Sequence, residues 1–119
     1  MQDVVERFLF DGAPVRGELV QLDASFKDVL ERHPYPPVLQ KLIGELMSAA
    51  ALLTATIKLD GTLVMQLHGS AAVKLIVVEC TSDMTLRATA RWDGEVADVS
   101  LAELLGHGKF VITLDPAEG

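Results

Sequence analysis

The three histidines are the side chains best suited to bind a metal ion or to transfer a proton. They stand at His33, His68 and His107, far apart and on segments of different predicted structure. In metal-binding motifs, two ligands usually stand a few residues apart at a regular spacing. None of the three histidines has a second ligand at such a spacing. The sequence therefore favours surface or loop histidines and assigns no metal-binding residue.

Cys80 is the only cysteine of the chain, so it cannot form an internal disulfide. Nothing in this usage suggests a secreted, disulfide-stabilised scaffold, and it is typical of a reducing compartment. No CxxC partner accompanies it. The sequence therefore favours a small buried residue over a reactive nucleophile.

The segment Gly106-His107-Gly108-Lys109 resembles a phosphate-binding loop only superficially. A phosphate loop needs the spacing GxxxxGK followed by Ser or Thr, and it runs from a strand through the loop into a helix. Here the predicted order is helix, then strand. We interpret the segment as the end of a helix followed by a turn.

The charged residues do not assemble into a recognisable catalytic set. Acidic residues number 17 against 10 basic ones, giving a net charge of −7, which argues against nucleic acid as a partner. The carboxylates fall at turns and on polar faces, and no GxSxG elbow occurs, so no catalytic residue is assigned and an enzyme is not expected. Arg87 and Arg91 share one strand face, which could bind an anion or a partner, although a polar sheet face is the favoured interpretation.

The first half of the chain is predicted to contain two strands and two helices. An apolar-rich segment predicts a strand over residues 4–10, and alternation predicts a second over residues 15–22. A helix begins near Ser25, where Asp28 completes a weak capping box. Proline residues at 34, 36 and 37 end this helix and begin the next.

The second helix, from residue 38 to about residue 56, has apolar residues at three- and four-residue steps. Its length is that of a membrane span, but Lys41 and Glu45 favour a buried core helix.

The second half is predicted to be mostly β-structure. Leu63, Met65 and Leu67 alternate with Val64, Gln66 and His68. Ser100 with Glu103 forms a capping box for a short helix that Gly106 ends. Strands are predicted over residues 63–68, 73–78 (buried on both faces), 84–92 and 109–114. We therefore predict an α+β fold, a mostly antiparallel sheet packed by a long central helix, in a single domain.

The predicted strands carry more apolar side chains than one helix can cover. Around Val64, over residues 73–78 and over residues 110–114, apolar groups occur on both strand faces. Either another element packs there, or the face is an exposed apolar patch of the kind that marks an interaction site.

Several long segments resemble one known family. They are VRGELV at 15–20, LLTATIKLDG at 52–61 running on to QLHG at 66–69, and GHGKFVITL at 106–114 followed by PAEG at 116–119. The chain is similar, over essentially its whole length, to the redox-regulated heat-shock holdase chaperones of the 33 kDa chaperonin family. The resemblance implies a cytoplasmic, ATP-independent chaperone that binds unfolded or oxidatively damaged proteins and forms a homodimer.

The family's zinc site cannot be placed on this sequence. In the family, four cysteines of CxC and CxxC motifs bind zinc in a C-terminal tail, and their oxidation releases the metal and exposes the client-binding surface. This chain contains neither motif, and Cys80 matches neither. The resemblance thus implies that residues 1–119 are the N-terminal portion of the family's core domain, without the zinc-binding redox-switch domain and without a cofactor of their own.

Strand parity and the resemblance together suggest which residues contact a client or a second subunit: Val64, Ile76, Val78, Phe110 and Ile112. An alternative remains open, in which the chain is a structural and dimerisation module that binds no client. Neither nucleic acid nor a membrane is expected as a partner.

Overall fold

Six strands and three helices make up the part of the chain that the computed structural model describes, which is residues 3–9, 11–12, 16–57 and 60–117. In chain order they are β1 (Val4–Leu9), β2 (Arg16–Gln21), α1 (Ala24–Arg32), α2 (Pro37–Ile57), β3 (Gly61–His68), β4 (Val73–Thr81), β5 (Leu86–Trp92), α3 (Leu101–Leu105) and β6 (Lys109–Pro116). Phe10 and Val15, the predicted ends of the first two strands, lie outside the described residues.

The strands form two antiparallel sheets. β1 and β2 make a two-stranded hairpin, and the other four strands make a sheet in the order β5-β4-β3-β6. Every neighbouring pair in the larger sheet is antiparallel. The predicted α+β class, with a long helix packed on an antiparallel sheet, is confirmed.

Helix α2 provides the main layer over the larger sheet. Leu39, Ile43, Met47 and Ala50 recur at three- and four-residue steps and are fully buried. The helix packs across β3, β4 and β5. By length and composition it could also cross a membrane, with a mean hydropathy of 1.3 over a window that is 39% buried.

The larger sheet has a core face and an open face, and only the core face is buried by the described helices. The core face carries Leu63, Met65, Leu67, Ile76, Val78, Cys80, Leu86 and Ala88. On the open face of β4, Leu75, Val77 and Glu79 are only half-buried. The prediction that residues 73–78 are buried on both faces is therefore wrong within the described chain.

Helix α1 is capped by a residue that is distant in sequence. The Asp3 carboxylate accepts hydrogen bonds from the backbone N–H groups of Asp23 (2.9 Å) and Ser25 (3.2 Å) and from the Ser25 hydroxyl. The expected local capping box of Ser25 and Asp28 is thus not the cap. An acceptor at a helix N-terminus satisfies N–H groups that the helix itself leaves unpaired.

The hairpin is fastened to the end of α2 by one arginine. Arg7 donates to the Ala55 carbonyl oxygen and pairs with Glu18 across the hairpin at 3.3 Å. Glu18 in turn accepts a 2.6 Å hydrogen bond from the Thr56 hydroxyl. The last turn of α2, up to Ile57, contains no basic residue of its own. Among the described residues, Arg7 supplies a cation there that complements the C-terminal dipole.

Candidate functional site: an apolar edge strand

Two of the five predicted contact residues lie in the core. Ile76 is 1% exposed and Val78 is fully buried, both on the face that α2 covers. They are therefore unavailable to a client or a second subunit in this structure. The alternation of side chains along a strand shows which residues share a face, but it does not show which face a helix will cover. Ile76 and Val78 were therefore predicted as contact residues together with residues that are exposed.

Phe110 and Ile112 share that same face but are exposed. Their cross-strand partners on β3 are the buried Leu67 and Met65, and Leu114 lies opposite the buried Leu63. Even so, Phe110 is 49%, Ile112 45% and Leu114 50% exposed. These three side chains form one apolar row, which we call the β6 stripe.

The stripe is exposed because the helical layer stops short of it. α2 packs across β3, β4 and β5, whereas β6 packs chiefly against β3. The core face therefore includes one strand, β6, that α2 does not cover. Successive stripe residues stand about 7 Å apart, two residues along a strand.

Val64 does not join the stripe. It lies on the open face, where its cross-strand neighbours are Glu79 and Thr113. Half-buried Val77 and Val111 lie on the same face, and Gln66 stands between them in the register. The structure thus brings together Phe110 and Ile112, and separates both from Val64.

The two edges of the larger sheet differ in their protection. At one edge, β5 presents exposed Arg87 and Arg91, and α1 packs against it. At the other, β6 has no charged residue between Lys109 and Asp115. Charges and covering helices are the usual means of preventing edge strands from pairing with other chains, so β6 is the less protected edge.

The histidines occupy unrelated surroundings. The His33 ring lies edge-on to Tyr35, with the ring centroids 5.7 Å apart, and His68 contacts the Gln66 side chain at 3.3 Å. At His107 the backbone N–H donates to the Ser70 hydroxyl at 2.9 Å. Within the described residues, no three histidine, cysteine or acidic side chains lie close enough together to bind a metal ion.

Cys80 is buried on the core face, as its type suggested. Burial raises the pKa of its thiol, and the neighbouring Thr54 hydroxyl only partly offsets this. The Sγ atom of Cys80 lies 3.8 Å from the sulfur of Met84. Met84 was predicted as the first residue of a strand, but it has a φ of 66° and lies in the turn before β5. A buried thiol with a raised pKa is a poor nucleophile.

A groove between α1 and β5, about 500 Å³ in volume, is lined by several charged side chains. Among the described residues that line it, Asp28 is the only acid, and it is paired with Arg32 at 3.2 Å. The other described lining residues are Val29, the first residues of β5 and Thr85 before them, so this lining offers neither two acids nor a histidine beside an acid. The arrangement does not support general acid–base chemistry at this groove.

Sequence reasoning missed several exposed apolar residues. Leu114 belongs to the β6 stripe, and its alternation with Ile112 and Phe110 was the signal that could have included it. On the hairpin, Leu9 is 80% and Leu19 57% exposed. These two lie in a second, separate sheet, so they do not extend the stripe.

Comparison with known proteins connects this architecture with one family. The sequence model of the Hsp33 protein family matches residues 3–119. Among curated relatives, the 33 kDa chaperonin of Shewanella oneidensis is 55% identical over 99% of this chain and 42% of its own length. The 33 kDa chaperonins of Chromobacterium violaceum (54% identical; 96% of this chain, 39% of the relative) and Methylobacillus flagellatus (51%; 100% and 41%) match similarly.

The chain thus spans about two-fifths of the length of these relatives. The match of the family model covers nearly every residue, including β6 and the segments on both sides of α2. The chain belongs to the Hsp33 protein family.

Proposed function

We propose that this chain is the N-terminal portion of the core domain of an ATP-independent holdase chaperone and that it binds unfolded proteins through the β6 stripe. The observation that carries the proposal is the exposure of Phe110, Ile112 and Leu114 on a sheet face that is otherwise core. Family membership supports a chaperone role.

The chemistry of the stripe suits unfolded clients. An unfolded protein exposes apolar side chains, and their burial against the stripe is favourable whatever their order. The outer edge of β6 also offers backbone hydrogen-bonding groups to an extended segment, and those groups are present in every polypeptide. Both contacts are largely independent of client sequence, as a general chaperone requires.

The charge of the chain supports the part of the proposal that concerns nucleic acid and membranes. A net charge of −7 disfavours nucleic acid and anionic membrane surfaces as partners. We place the protein in the cytoplasm and expect it to form a homodimer. α2 serves as a core helix in this account, since its apolar side packs on the sheet.

We further propose that holdase activity of this chain does not respond to peroxide. The family's zinc ligands are cysteines of CxC and CxxC motifs, and this sequence has neither, so zinc is assigned to no residue here. Cys80 is buried and its thiol pKa is raised, which makes it a slow target for an oxidant.

Suppression of the aggregation of a heat-denatured test enzyme, measured by light scattering with and without peroxide, tests the proposal. The wild type should suppress aggregation equally in both conditions, and the double variant Phe110→Gln/Leu114→Gln should lose most of the effect. Leu101→Gln replaces a similarly exposed residue, 47% against 49% and 50%, outside β6, and should retain it. Full activity of the double variant would contradict a role of the stripe, and a strong dependence on oxidant would contradict the second claim.

The second candidate function is a structural and dimerisation module without client binding. The unprotected edge of β6 favours it, because such an edge can pair with another copy. Binding of a hydrophobic dye combined with sedimentation at several concentrations separates the two functions. A dimer that binds neither dye nor unfolded client is the module; dye and client binding that the stripe variants abolish is the holdase.

A further inference from the structure

Two sulfur atoms lie side by side near the end of β4, where the chain turns toward β5. We propose that Cys80 and Met84 bind a soft monovalent metal ion, cuprous copper, with the Cys80 thiolate and the Met84 thioether as ligands and the Thr54 hydroxyl donating a hydrogen bond to the thiolate. β3 separates β4 from β6 in the sheet, so this site is distinct from the β6 stripe. It does not depend on client binding.

The distance between the two sulfur atoms suits a shared ion. The Cys80 Sγ and the Met84 Sδ lie 3.8 Å apart, and the thiol of Cys80 donates to the thioether. Metal–thiolate bonds are about 2.3 Å long, so two sulfur ligands of one ion stand at most about 4.6 Å apart. An ion in a bent arrangement therefore fits between the two sulfurs, in the place that the thiol proton occupies.

The groups around the thiol favour a bound cation. The Thr81 carbonyl oxygen lies 3.6 Å from the Cys80 Sγ, beside the electron-rich sulfur of Met84. Burial raises the pKa of the Cys80 thiol, and the nearby Asp83 carboxylate adds to this rise. These surroundings disfavour a bare thiolate, but they favour a thiolate whose charge is balanced by a metal ion.

A buried hydroxyl without a partner lies at the same place. Thr54 is 3% exposed, and its hydroxyl has no hydrogen-bond partner among the described residues. By contrast, Thr56 on the same helix donates to the Leu52 carbonyl oxygen at 2.7 Å, as threonines inside helices commonly do. The Thr54 hydroxyl is instead close enough to the Cys80 sulfur to offset part of the rise in the thiol pKa. A thiol sulfur is a weak acceptor, whereas a metal-bound thiolate gives this hydroxyl a charged one.

The ligand types select the metal. Thiolate and thioether sulfurs are soft ligands that favour Cu(I), whereas a structural zinc ion takes four ligands in a tetrahedral arrangement. The described residues hold no group of three histidine, cysteine or acidic side chains that could complete such a zinc site. A monovalent cation also neutralises the single thiolate charge, which reduces the cost of burying it.

Binding exchanges a proton for the ion. The S–H bond of Cys80 breaks, a sulfur–copper bond forms, and the proton passes to water, so no electron is transferred. Met84 contributes a lone pair of its sulfur and loses nothing. The ion is taken up as Cu(I) and remains Cu(I).

Competition with a chromophoric cuprous chelator, read at equilibrium and without oxygen, measures the affinity of the intact 119-residue chain. The wild type should bind one cuprous ion. Cys80→Ala should weaken binding by about a hundredfold or more, and Met84→Leu, which conserves side-chain volume, by about tenfold or more. Met47→Leu is the matched control, since it removes the thioether of another buried methionine, about 10 Å from Thr54 along α2. It should leave the affinity within about twofold of wild type.

Thr54→Val separates the metal site from a structural role of the hydroxyl. The change removes a buried, unpaired hydroxyl at nearly constant volume, so the urea midpoint of unfolding should not fall. The affinity for the cuprous ion should nevertheless fall about tenfold, as it does when a group that hydrogen-bonds a metal ligand is removed.

Silver(I), which has the same preference for sulfur and is not readily oxidised or reduced, identifies the ligands in the wild-type chain. In a methionine-methyl NMR spectrum, one equivalent of silver(I) should shift the Met84 signal strongly and the Met47 signal little. This measurement needs no variant and is unaffected by any loss of folding in Cys80→Ala.

Three results would overturn the proposal. They are a wild-type affinity no higher than that of Cys80→Ala, an affinity that Met84→Leu leaves unchanged, and displacement of the copper by an equal concentration of zinc. An unchanged affinity in Thr54→Val would contradict the role of the hydroxyl. The stripe variant Phe110→Gln/Leu114→Gln should bind copper as the wild type does, so copper binding and client binding fail separately.

Discussion

Ile76 and Ile112 offer a matched comparison of covered and uncovered positions on one sheet face. Both are isoleucines on the core face of the larger sheet, but Ile76 is 1% exposed and Ile112 is 45% exposed. Replacing each by alanine removes the same atoms. Any difference in the free energy of unfolding therefore reports the cover that α2 provides over β4 and not over β6.

The expected costs follow from burial. An Ile→Ala change removes about three carbon groups, worth about 0.8 kcal/mol each when fully buried, and a closed core adds a cavity cost of about 1 kcal/mol. Ile76→Ala should therefore cost about 3–4 kcal/mol. Ile112→Ala should cost about 1 kcal/mol, since about half of the side chain is already in water and no closed cavity forms.

Urea unfolding followed by the fluorescence of Trp92 measures both costs. Trp92 is the only tryptophan, and it packs against Tyr35 with the ring centroids 5.5 Å apart. The measurement belongs at about 1 μM protein, where a weak association of two copies would be dissociated. If Ile76→Ala leaves too little folded protein, Ile76→Val should cost about 0.5–1.5 kcal/mol and can replace it. Equal costs at the two alanine variants would show that the β6 stripe is covered in the single chain, contrary to its exposure in the structure.

Three further predictions concern the hydrogen-bonding network and the thiol. Burial acts to raise the pKa of Asp3, but hydrogen bonds from Ser25 and from the backbone of Asp23 outweigh it and lower the pKa from its ordinary 3.8. Asp3→Asn should therefore destabilise the chain by about 1 kcal/mol near neutral pH. The difference from wild type, measured by urea unfolding at each pH, should fade as the pH drops below 3.8, because the wild-type carboxylate then becomes protonated. A difference that stays constant with pH would contradict the role of Asp3 as the cap. Arg7→Met should speed amide hydrogen exchange in β1 and β2 roughly two- to fivefold without affecting β4, whereas Arg91→Met should leave the hairpin unchanged. Cys80 should react with a thiol reagent about a hundredfold more slowly in the native chain than in guanidinium; equal rates would show that it is not buried.

Features encoded by neighbouring residues were predictable from the sequence. The periodicity of residues 38–56 and the prolines before them predicted α2 to within one residue at each end. Ser100 indeed accepts a hydrogen bond from the N–H of Glu103, at 3.2 Å, and Gly106 ends α3 with a φ of 66°. Each of these signals acts within one or two helical turns, which is why it can be recognised without tertiary information.

Features that depend on distant parts of the chain were not predictable in this way. The cap of α1 comes from Asp3, 20 residues before Asp23. Met84 continues the alternation of β5, yet it adopts a positive φ in the preceding turn, where its sulfur contacts Cys80. Neither contact leaves a signal in the local pattern of apolar and polar residues.

The candidate site shows the same limit. Alternation correctly marked Phe110 and Ile112 as apolar strand residues, but it marked Ile76 and Val78 in the same way. What distinguishes the two pairs is the position of α2, which packs over β4 and stops before β6. Coverage of this kind is a property of the packed layers, so exposure could be assigned only from the fold.

Site-specific photo-crosslinking to an unfolded client tests whether clients bind at the β6 stripe. A photoreactive amino acid is placed at Ile112 in the β6 stripe and, as a control, at Thr89 on the exposed open face of β5. With a denatured test enzyme present, the account predicts efficient crosslinks from position 112 and few from position 89. Equal crosslinking from both positions, or none from position 112, would contradict the assignment of the β6 stripe as the client-binding surface.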